Sequence, residues 1–149
     1  MKNKQVVLAK EGNHYNFKGD NVYVKVSSPS TDNKLSIVED NLDPGFYLAR
    51  HYHKVMTEVF YIIEGVVELI FDDETIFAKA GDTIAVPPNT WHTCKCEKGG
   101  KMLSIFLDGQ FDQFLEKLST LKESDFGNAE LMKSVNAKFD NYEAEPDHQ

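Results

Sequence analysis

Three potential metal ligands, His51, His53 and Glu58, lie within residues 45–65, and a fourth, His92, follows farther along the chain. Side chains alternate faces along a β-strand, so His51 and His53 project from the same face, one pleat apart. Glu58 begins the next apolar run, where an antiparallel neighbour could bring it alongside. Three imidazoles and one carboxylate suit iron, manganese, nickel, cobalt, copper or zinc better than magnesium or calcium. The pattern therefore predicts one divalent transition metal ion with coordination positions left open for catalysis.

The two segments that carry these side chains resemble the two sequence motifs of the cupin family. Residues 45–65 match the first motif in every spacing, as Gly45-x5-His51-x-His53-x4-Glu58-x6-Gly65. Residues 81–96 match the second with two substitutions, as Gly81-x5-Pro87-x-Asn89-x2-His92-x3-Cys96. Asn89 replaces a usual glycine and tolerates the left-handed backbone that such a turn needs. Cys96 replaces a frequent asparagine that is not a ligand in the family. The resemblance implies that the four residues above bind the metal.

Short apolar-polar alternations separated by turn signals predict an all-β protein, either a sandwich or a barrel. The cupin resemblance selects a jelly-roll barrel over residues 1–109. The predicted strands cover residues 5–9, 21–28, 35–42, 47–53, 58–64, 66–71, 74–80, 83–88, 90–96 and 101–107.

A change of periodicity after Gly109 predicts two short C-terminal α-helices. Apolar residues recur at helical spacing within residues 110–122, and Asn128 is a candidate cap for a second helix that extends through Phe139. We therefore expect a helical appendage over residues 110–140. The acidic residues 141–149 are expected to form a flexible tail.

Strand alternation also selects candidates for the lining of a pocket. Tyr47 shares the parity of His51, whereas Phe60 and Ile62 share the parity of Glu58. Cys94 and Cys96 share the parity of His92, so a regular strand would point both thiols inward. All five, Tyr47, Phe60, Ile62, Cys94 and Cys96, can be read as pocket residues or as plain core, the cysteines then being small buried hydrophobes.

The composition indicates which binding partners and which cellular compartment to expect. The net charge of -8, with 16 Lys and Arg against 24 Asp and Glu, argues against a nucleic-acid partner. No apolar run is long enough to span a bilayer, and the N-terminal apolar patch is too short for a signal-peptide core. Cys94 and Cys96 are too close for an unstrained disulfide, so we expect free thiols and a cytoplasmic location. The strand containing Glu58 is apolar on both faces and needs outside cover, from the helices or from a homodimer partner.

Three functions remain open at this point. The first is a metal-dependent dioxygenase of the quercetinase-like type, an oxidoreductase that cleaves a small aromatic or enolic substrate, with Glu58 as ligand and proton acceptor. The second is an isomerase or lyase that acts on a sugar or hydroxy acid. The third is a non-catalytic module that binds metal or a small ligand. The scarcity of inward Lys, Arg, Gln and Asn on the motif strands favours a flat aromatic substrate over a sugar.

Overall fold

The computed structural model describes residues 3–145, and within that range the chain forms eleven β-strands and two α-helices. The strands are β1 (His14–Phe17), β2 (Asp20–Val26), β3 (Leu35–Leu42), β4 (Phe46–Tyr52), β5 (Thr57–Glu64), β6 (Val66–Phe71), β7 (Thr75–Lys79), β8 (Thr83–Val86), β9 (His92–Cys96), β10 (Gly100–Leu107) and β11 (Tyr142–Glu143). The helices are α1 (Phe111–Ser119) and α2 (Ala129–Lys138).

The strands form two antiparallel sheets. One sheet has the order β1-β2-β3-β10-β5-β8, and the other has the order β11-β4-β9-β6-β7. Strands that are distant in sequence, such as β3 and β10, are hydrogen-bonded neighbours, as in a jelly roll. The prediction of an all-β jelly roll with two short C-terminal helices is therefore confirmed.

Most strand boundaries agree with the predicted ones because one face of each sheet is buried. β3 has its predicted bounds, and its residues alternate strictly between partly exposed and buried side chains. Val38, at its centre, is fully buried. Period-two patterning places one set of side chains in the core, and a one-residue slip would expose that whole set.

The largest buried cluster lies between the inner faces of the two sheets. Phe60 and Ile62 of β5 enter it from the first sheet, and Cys94 and Cys96 of β9 enter it from the second. All four are at most 2% exposed. These pocket candidates therefore pack as core, and both cysteines are free thiols.

The chain termini differ from the prediction. Residues 5–9 form no strand, and the side chains of Val6 and Leu8 are well exposed. The β propensity of this segment is not sufficient, because a strand also needs a neighbouring strand to pair with. β1 was not predicted, because its alternation is short and half polar. Tyr142 and Glu143 pair with β4 as β11, so the expectation of a loose tail is wrong for these two residues. Residues 146–149 of that expected tail lie outside the described residues.

The two helices pack across one end of the barrel. Phe111 of α1 stacks on Phe106 of β10 with ring centroids 4.4 Å apart, and Leu115 joins the same buried cluster. Asn128 caps α2, as predicted, by accepting a hydrogen bond from the Leu131 backbone N–H at 3.1 Å. Neither of the helices that the structure describes is long and apolar enough to cross a membrane.

Candidate metal centre

Four buried side chains converge at one point between the two sheets. His51 lies near the end of β4, directly opposite His92 at the start of β9 in the antiparallel register. His53 follows the end of β4, and Glu58 reaches across from β5 of the other sheet. One ligand atom from each residue lies within 4.8 Å of those of the other three, and none of the residues is more than 5% exposed.

Backbone carbonyls determine which ring nitrogen faces the centre. His51 Nδ1 lies 2.8 Å from the Ala49 carbonyl oxygen, and His92 Nδ1 lies 2.9 Å from the Thr90 carbonyl oxygen. Because a carbonyl oxygen only accepts, each Nδ1 carries the proton and donates it. Nε2 of each ring is left with a free lone pair, which is the arrangement of a metal-ligating histidine.

His53 and Glu58 form a buried ion pair at the same point. His53 Nε2 and Glu58 Oε2 are 3.1 Å apart. Burial alone would lower the pKa of His53, but the hydrogen bond and the charge of Glu58 outweigh it and raise that pKa. Burial alone would raise the pKa of Glu58, but the hydrogen bond to His53 and the proximity of His92 outweigh it and lower that pKa well below its usual range. Glu58 therefore remains a carboxylate, ready to bind a cation in place of the His53 proton.

The remaining donors also fit a metal ion. His92 Nε2 is buried, lies 3.4 Å from Glu58 Oε2 and makes no hydrogen bond. A buried nitrogen of this kind normally has a partner, and a cation at the centre of the cluster would supply one. Burial, followed by the neighbouring charges of His92 and His53, lowers the pKa of His51 to about 3. His51 is therefore neutral and able to bind metal at physiological pH. The four residues fit one divalent metal ion.

A cavity of about 140 Å³ opens onto the cluster, and His51, His53 and Glu58 contribute to its wall. Most of the remaining wall is apolar and comes from β1, β2, β4 and the C-terminal helices. It includes five phenyl rings, those of Phe17, Phe46, Phe111, Phe114 and Phe126. Met132 and Asn136 of α2 close it from the outer side. The helices therefore form part of this cavity wall.

Tyr47 does not lie where simple alternation placed it. The pairing of β4 with β9 shifts register between Leu48 and His51, so an extra residue interrupts the alternation. Tyr47 pairs with Lys95 and is 43% exposed, although it still contributes to the outer part of the cavity wall. The parity inferred for Tyr47 is therefore wrong, since Leu48 has the register that pairs with buried Cys94, but both Tyr47 and Leu48 line the cavity.

Asn89 has the left-handed backbone predicted for it, with φ at 62°. Its backbone N–H donates to the His53 carbonyl oxygen at 2.6 Å. The turn before β9 is thereby fixed to the segment that follows β4. This contact holds the two histidine-bearing segments together.

Two acidic residues near the site, the partly buried Asp20 and the buried Asp40, were missed by sequence reasoning. Asp20 of β2 contributes to the cavity wall, and Asp40 of β3 lies beside it, 3% exposed. Ser104 Oγ donates to Asp40 Oδ2 at 2.5 Å. Both carboxyls have the inward parity of their strands, since Asp20 shares the face of buried Val22 and Asp40 lies between buried Val38 and Leu42, and that parity was a usable signal in the sequence.

A second and larger depression, of about 870 Å³, lies on the outside of the five-stranded sheet. It runs between Trp91, β11 and α2, and none of the four candidate ligands lines it. Arg50 lies over the Trp91 ring, 4.1 Å from its centroid, and also pairs with Asp72. Because Arg50 is already paired and no candidate ligand lines this depression, we assign the chemistry to the smaller cavity.

Comparison with known proteins agrees with this fold and cluster. The model of the cupin domain family (Cupin_2) matches residues 38–106, a segment that contains all four candidate ligands. These residues resemble a cupin domain, and the match supports a small protein of the cupin superfamily.

One sequence relative and two solved structures illustrate what the chain is similar to. The chain is 29% identical to quercetin 2,3-dioxygenase of Bacillus subtilis (strain 168) over 102 residues. These residues are 67% of this chain but only 30% of that protein. An RmlC-like cupin from Shewanella frigidimarina NCIMB 400 has a similar fold, with a TM-score of 0.64 at 21% identity over 74% of this chain and 96% of that one. KdgF from a Halomonas species gives a TM-score of 0.65 at 18% identity over 73% and 99% of the two chains. The two structural similarities concern the fold alone.

Proposed function

We propose that this cupin is a metal-dependent dioxygenase of the quercetinase-like type, acting on a small aromatic or enolic substrate. The observation that carries the proposal is the cavity itself, which is walled by phenyl rings and ends on His51, His53 and Glu58. The partial similarity to a quercetin 2,3-dioxygenase supports the same chemistry, although the chain spans only 30% of that protein.

In this proposal His51, His53, Glu58 and His92 hold the metal ion. The bound ion supplies a Lewis acid for a substrate oxygen and, when it is redox-active, a route to reaction with dioxygen. Phenyl rings such as Phe46 and Phe114 bind the flat faces of the substrate and exclude water. Glu58 has a second carboxylate oxygen besides the one near His53, and this oxygen accepts the proton of the substrate hydroxyl. Glu58 is thus both a ligand and the catalytic base.

Oxygen uptake is the direct test. The protein is stripped of metal, loaded separately with iron, manganese, nickel, cobalt, copper and zinc, and supplied with flavonols and simpler enolic aromatics. We expect oxygen consumption with at least one redox-active metal and its loss in Glu58→Gln. No uptake with any metal and substrate in this panel would rule out the dioxygenase.

A metal-dependent isomerase or lyase acting on a sugar or hydroxy acid is the second candidate. It is favoured by the neighbouring carboxyls of Asp20, in the cavity wall, and Asp40, because carboxyls that share a proton beside a metal site suit reactions that move protons rather than oxygen. Turnover of a keto sugar or hydroxy acid without oxygen uptake would support this candidate. Tight retention of a small ligand with no turnover at all would instead indicate a non-catalytic binding module.

We also propose a homodimer in a reducing, cytoplasmic setting. Tyr61 and Leu107 are 41% and 43% exposed on the outer face of the six-stranded sheet, so the helices leave this apolar face partly open. Burial raises the pKa of the Cys94 thiol well above its usual value, which suits a free, unreactive cysteine. Sedimentation analysis of wild type and Tyr61→Glu tests the dimer, since the introduced charge should shift the mass to that of a monomer.

A further inference from the structure

One residue of the C-terminal segment contacts the metal centre from outside the cupin-matched region. Asp140 follows α2 and has a left-handed backbone, with φ at 61°. Its carboxylate accepts hydrogen bonds from three consecutive backbone N–H groups, those of Lys54, Val55 and Met56, at 2.7, 2.9 and 2.9 Å. These groups belong to the loop that joins His53 to β5. One side chain therefore satisfies three consecutive backbone donors of the loop between two candidate ligands.

The same residue also orients a ligand ring. His53 Nδ1 donates to the Asp140 backbone carbonyl at 2.8 Å. His51 and His92 each donate instead to a carbonyl only two residues earlier in their own segments. His53 is thus the one candidate histidine ligand whose ring is oriented by a distant part of the chain, 87 residues away in sequence.

The C-terminal segment is itself fixed to the barrel. Tyr142 and Glu143 pair with Tyr52 and His51 across β11 and β4, and the Ala144 N–H donates to the Arg50 carbonyl at 3.0 Å. Asp140 is therefore held between the end of α2 and a strand of the sheet that carries His51 and His92. Its two contacts with the site are parts of a continuous, hydrogen-bonded structure.

We infer that Asp140 is a positioning residue of the metal centre, which orients His53 and fixes the loop that sets its separation from Glu58. The inference rests on the proposed metal binding by these residues. Partners behind a ligand determine how well the ligand is preorganised, and their loss typically weakens metal affinity about 10–100-fold. The C-terminal segment is then part of the site, since a chain ending at α2 would leave His53 without its hydrogen-bond acceptor.

The test compares metal affinity in the full chain and needs no substrate. Co²⁺ binding is measured by competition with a chelator, and the visible spectrum of bound Co²⁺ reports the coordination geometry. Asp140→Asn removes the charge that three N–H groups share, and we expect affinity to fall at least about 10-fold with an altered spectrum. Asp82→Asn is the matched control, because Asp82 Oδ2 also accepts a backbone N–H, from Lys79 at 2.9 Å, in a turn without a candidate ligand.

A second Asp140 variant and the behaviour of wild-type protein separate the possible outcomes. Asp140→Glu retains the charge but displaces the carboxylate by one methylene, so it should fold and still bind Co²⁺ more weakly than Asp82→Asn. Wild-type affinity and an unchanged spectrum in both Asp140 variants would overturn the inference. Wild-type protein that binds Co²⁺ but turns over nothing would refute only the proposed catalysis, whereas wild-type protein that binds no metal would overturn both.

Discussion

The contact between the partly buried Asp20 and the buried Asp40 predicts a stabilising substitution. Burial, together with the neighbouring charge of Asp40, raises the pKa of Asp20, and burial also raises that of Asp40. Ser104 donates to Asp40, so Asp40 is the better site for the negative charge and Asp20 the better site for the shared proton. The pair therefore retains one proton at neutral pH. Asparagine at position 20 has the shape of a protonated aspartic acid and can still donate to Asp40.

The size of the stabilisation by Asp20→Asn follows from the difference in bound protons between the folded and unfolded states. The unfolded chain releases the Asp20 proton near the ordinary value of 3.8, but the folded chain retains it through pH 7. Because the folded state then binds more protons than the unfolded state, folding stability falls as pH rises above about 4. At about 1.4 kcal/mol per pH unit, the loss reaches at most about 4 kcal/mol at pH 7. Asp20→Asn removes this loss, so its advantage should be absent near pH 4 and grow toward neutrality.

Denaturant unfolding of metal-free protein, measured from about pH 4 to pH 8, tests this prediction. Subtracting the wild-type free energy of unfolding from that of Asp20→Asn at each pH cancels the titration of the histidines, which both proteins share. Asp73→Asn, at an exposed turn, controls for the change in net charge. A variant that is less stable than wild type at pH 8, or a difference that does not depend on pH, would show that the pair does not retain a proton.

Three further experiments test the candidate site and the fold that supports it. Alanine at any one of the three candidate histidine ligands should remove most bound metal while leaving the circular dichroism of the barrel intact, which elemental analysis of the purified variants can check. Gly65→Ala should destabilise the fold by about 1–3 kcal/mol, because φ is 80° and the added Cβ would lie 2.5 Å from the Gly99 carbonyl oxygen; an unchanged unfolding midpoint would contradict this. Cys94, buried with a raised pKa, should react with a thiol reagent only in denaturant, and stoichiometric labelling of Cys94 in native protein would oppose that expectation.

The candidate ligands were accessible to sequence reasoning because local geometry and motif spacing agree. His51 and His53 are separated by one residue, and the strand bounds around them were predicted within about two residues, as is usual for patterned strands. The position of Asn89 likewise predicted its left-handed backbone, which the structure confirms. These features depend on residues close together in the chain, where spacing carries geometric information.

The errors have a common physical origin in contacts that local patterns do not encode. The register shift between Leu48 and His51 turned Tyr47 outward, and alternation alone cannot predict an inserted residue. β11 and Asp140 depend on pairing between segments more than 80 residues apart, as in the Asp140 contacts with Lys54 and Val55. Residues 5–9 have the composition of a strand but form none, because strand formation requires a partner as well as propensity.

The division of the site along the chain bears on how far family membership can predict function. All four candidate metal ligands lie within the cupin-matched residues 38–106, whereas the rings of Phe17, Phe111, Phe114 and Phe126 lie outside that range. We therefore expect metal affinity to depend mainly on the cupin-matched residues, and the shape of the cavity to depend also on segments outside that match. Asp140 connects the two parts, because it is attached to α2 and contacts His53. Substitutions in α1 should for this reason alter substrate choice while leaving metal content unchanged, whereas substitutions at Asp140 should alter metal content first.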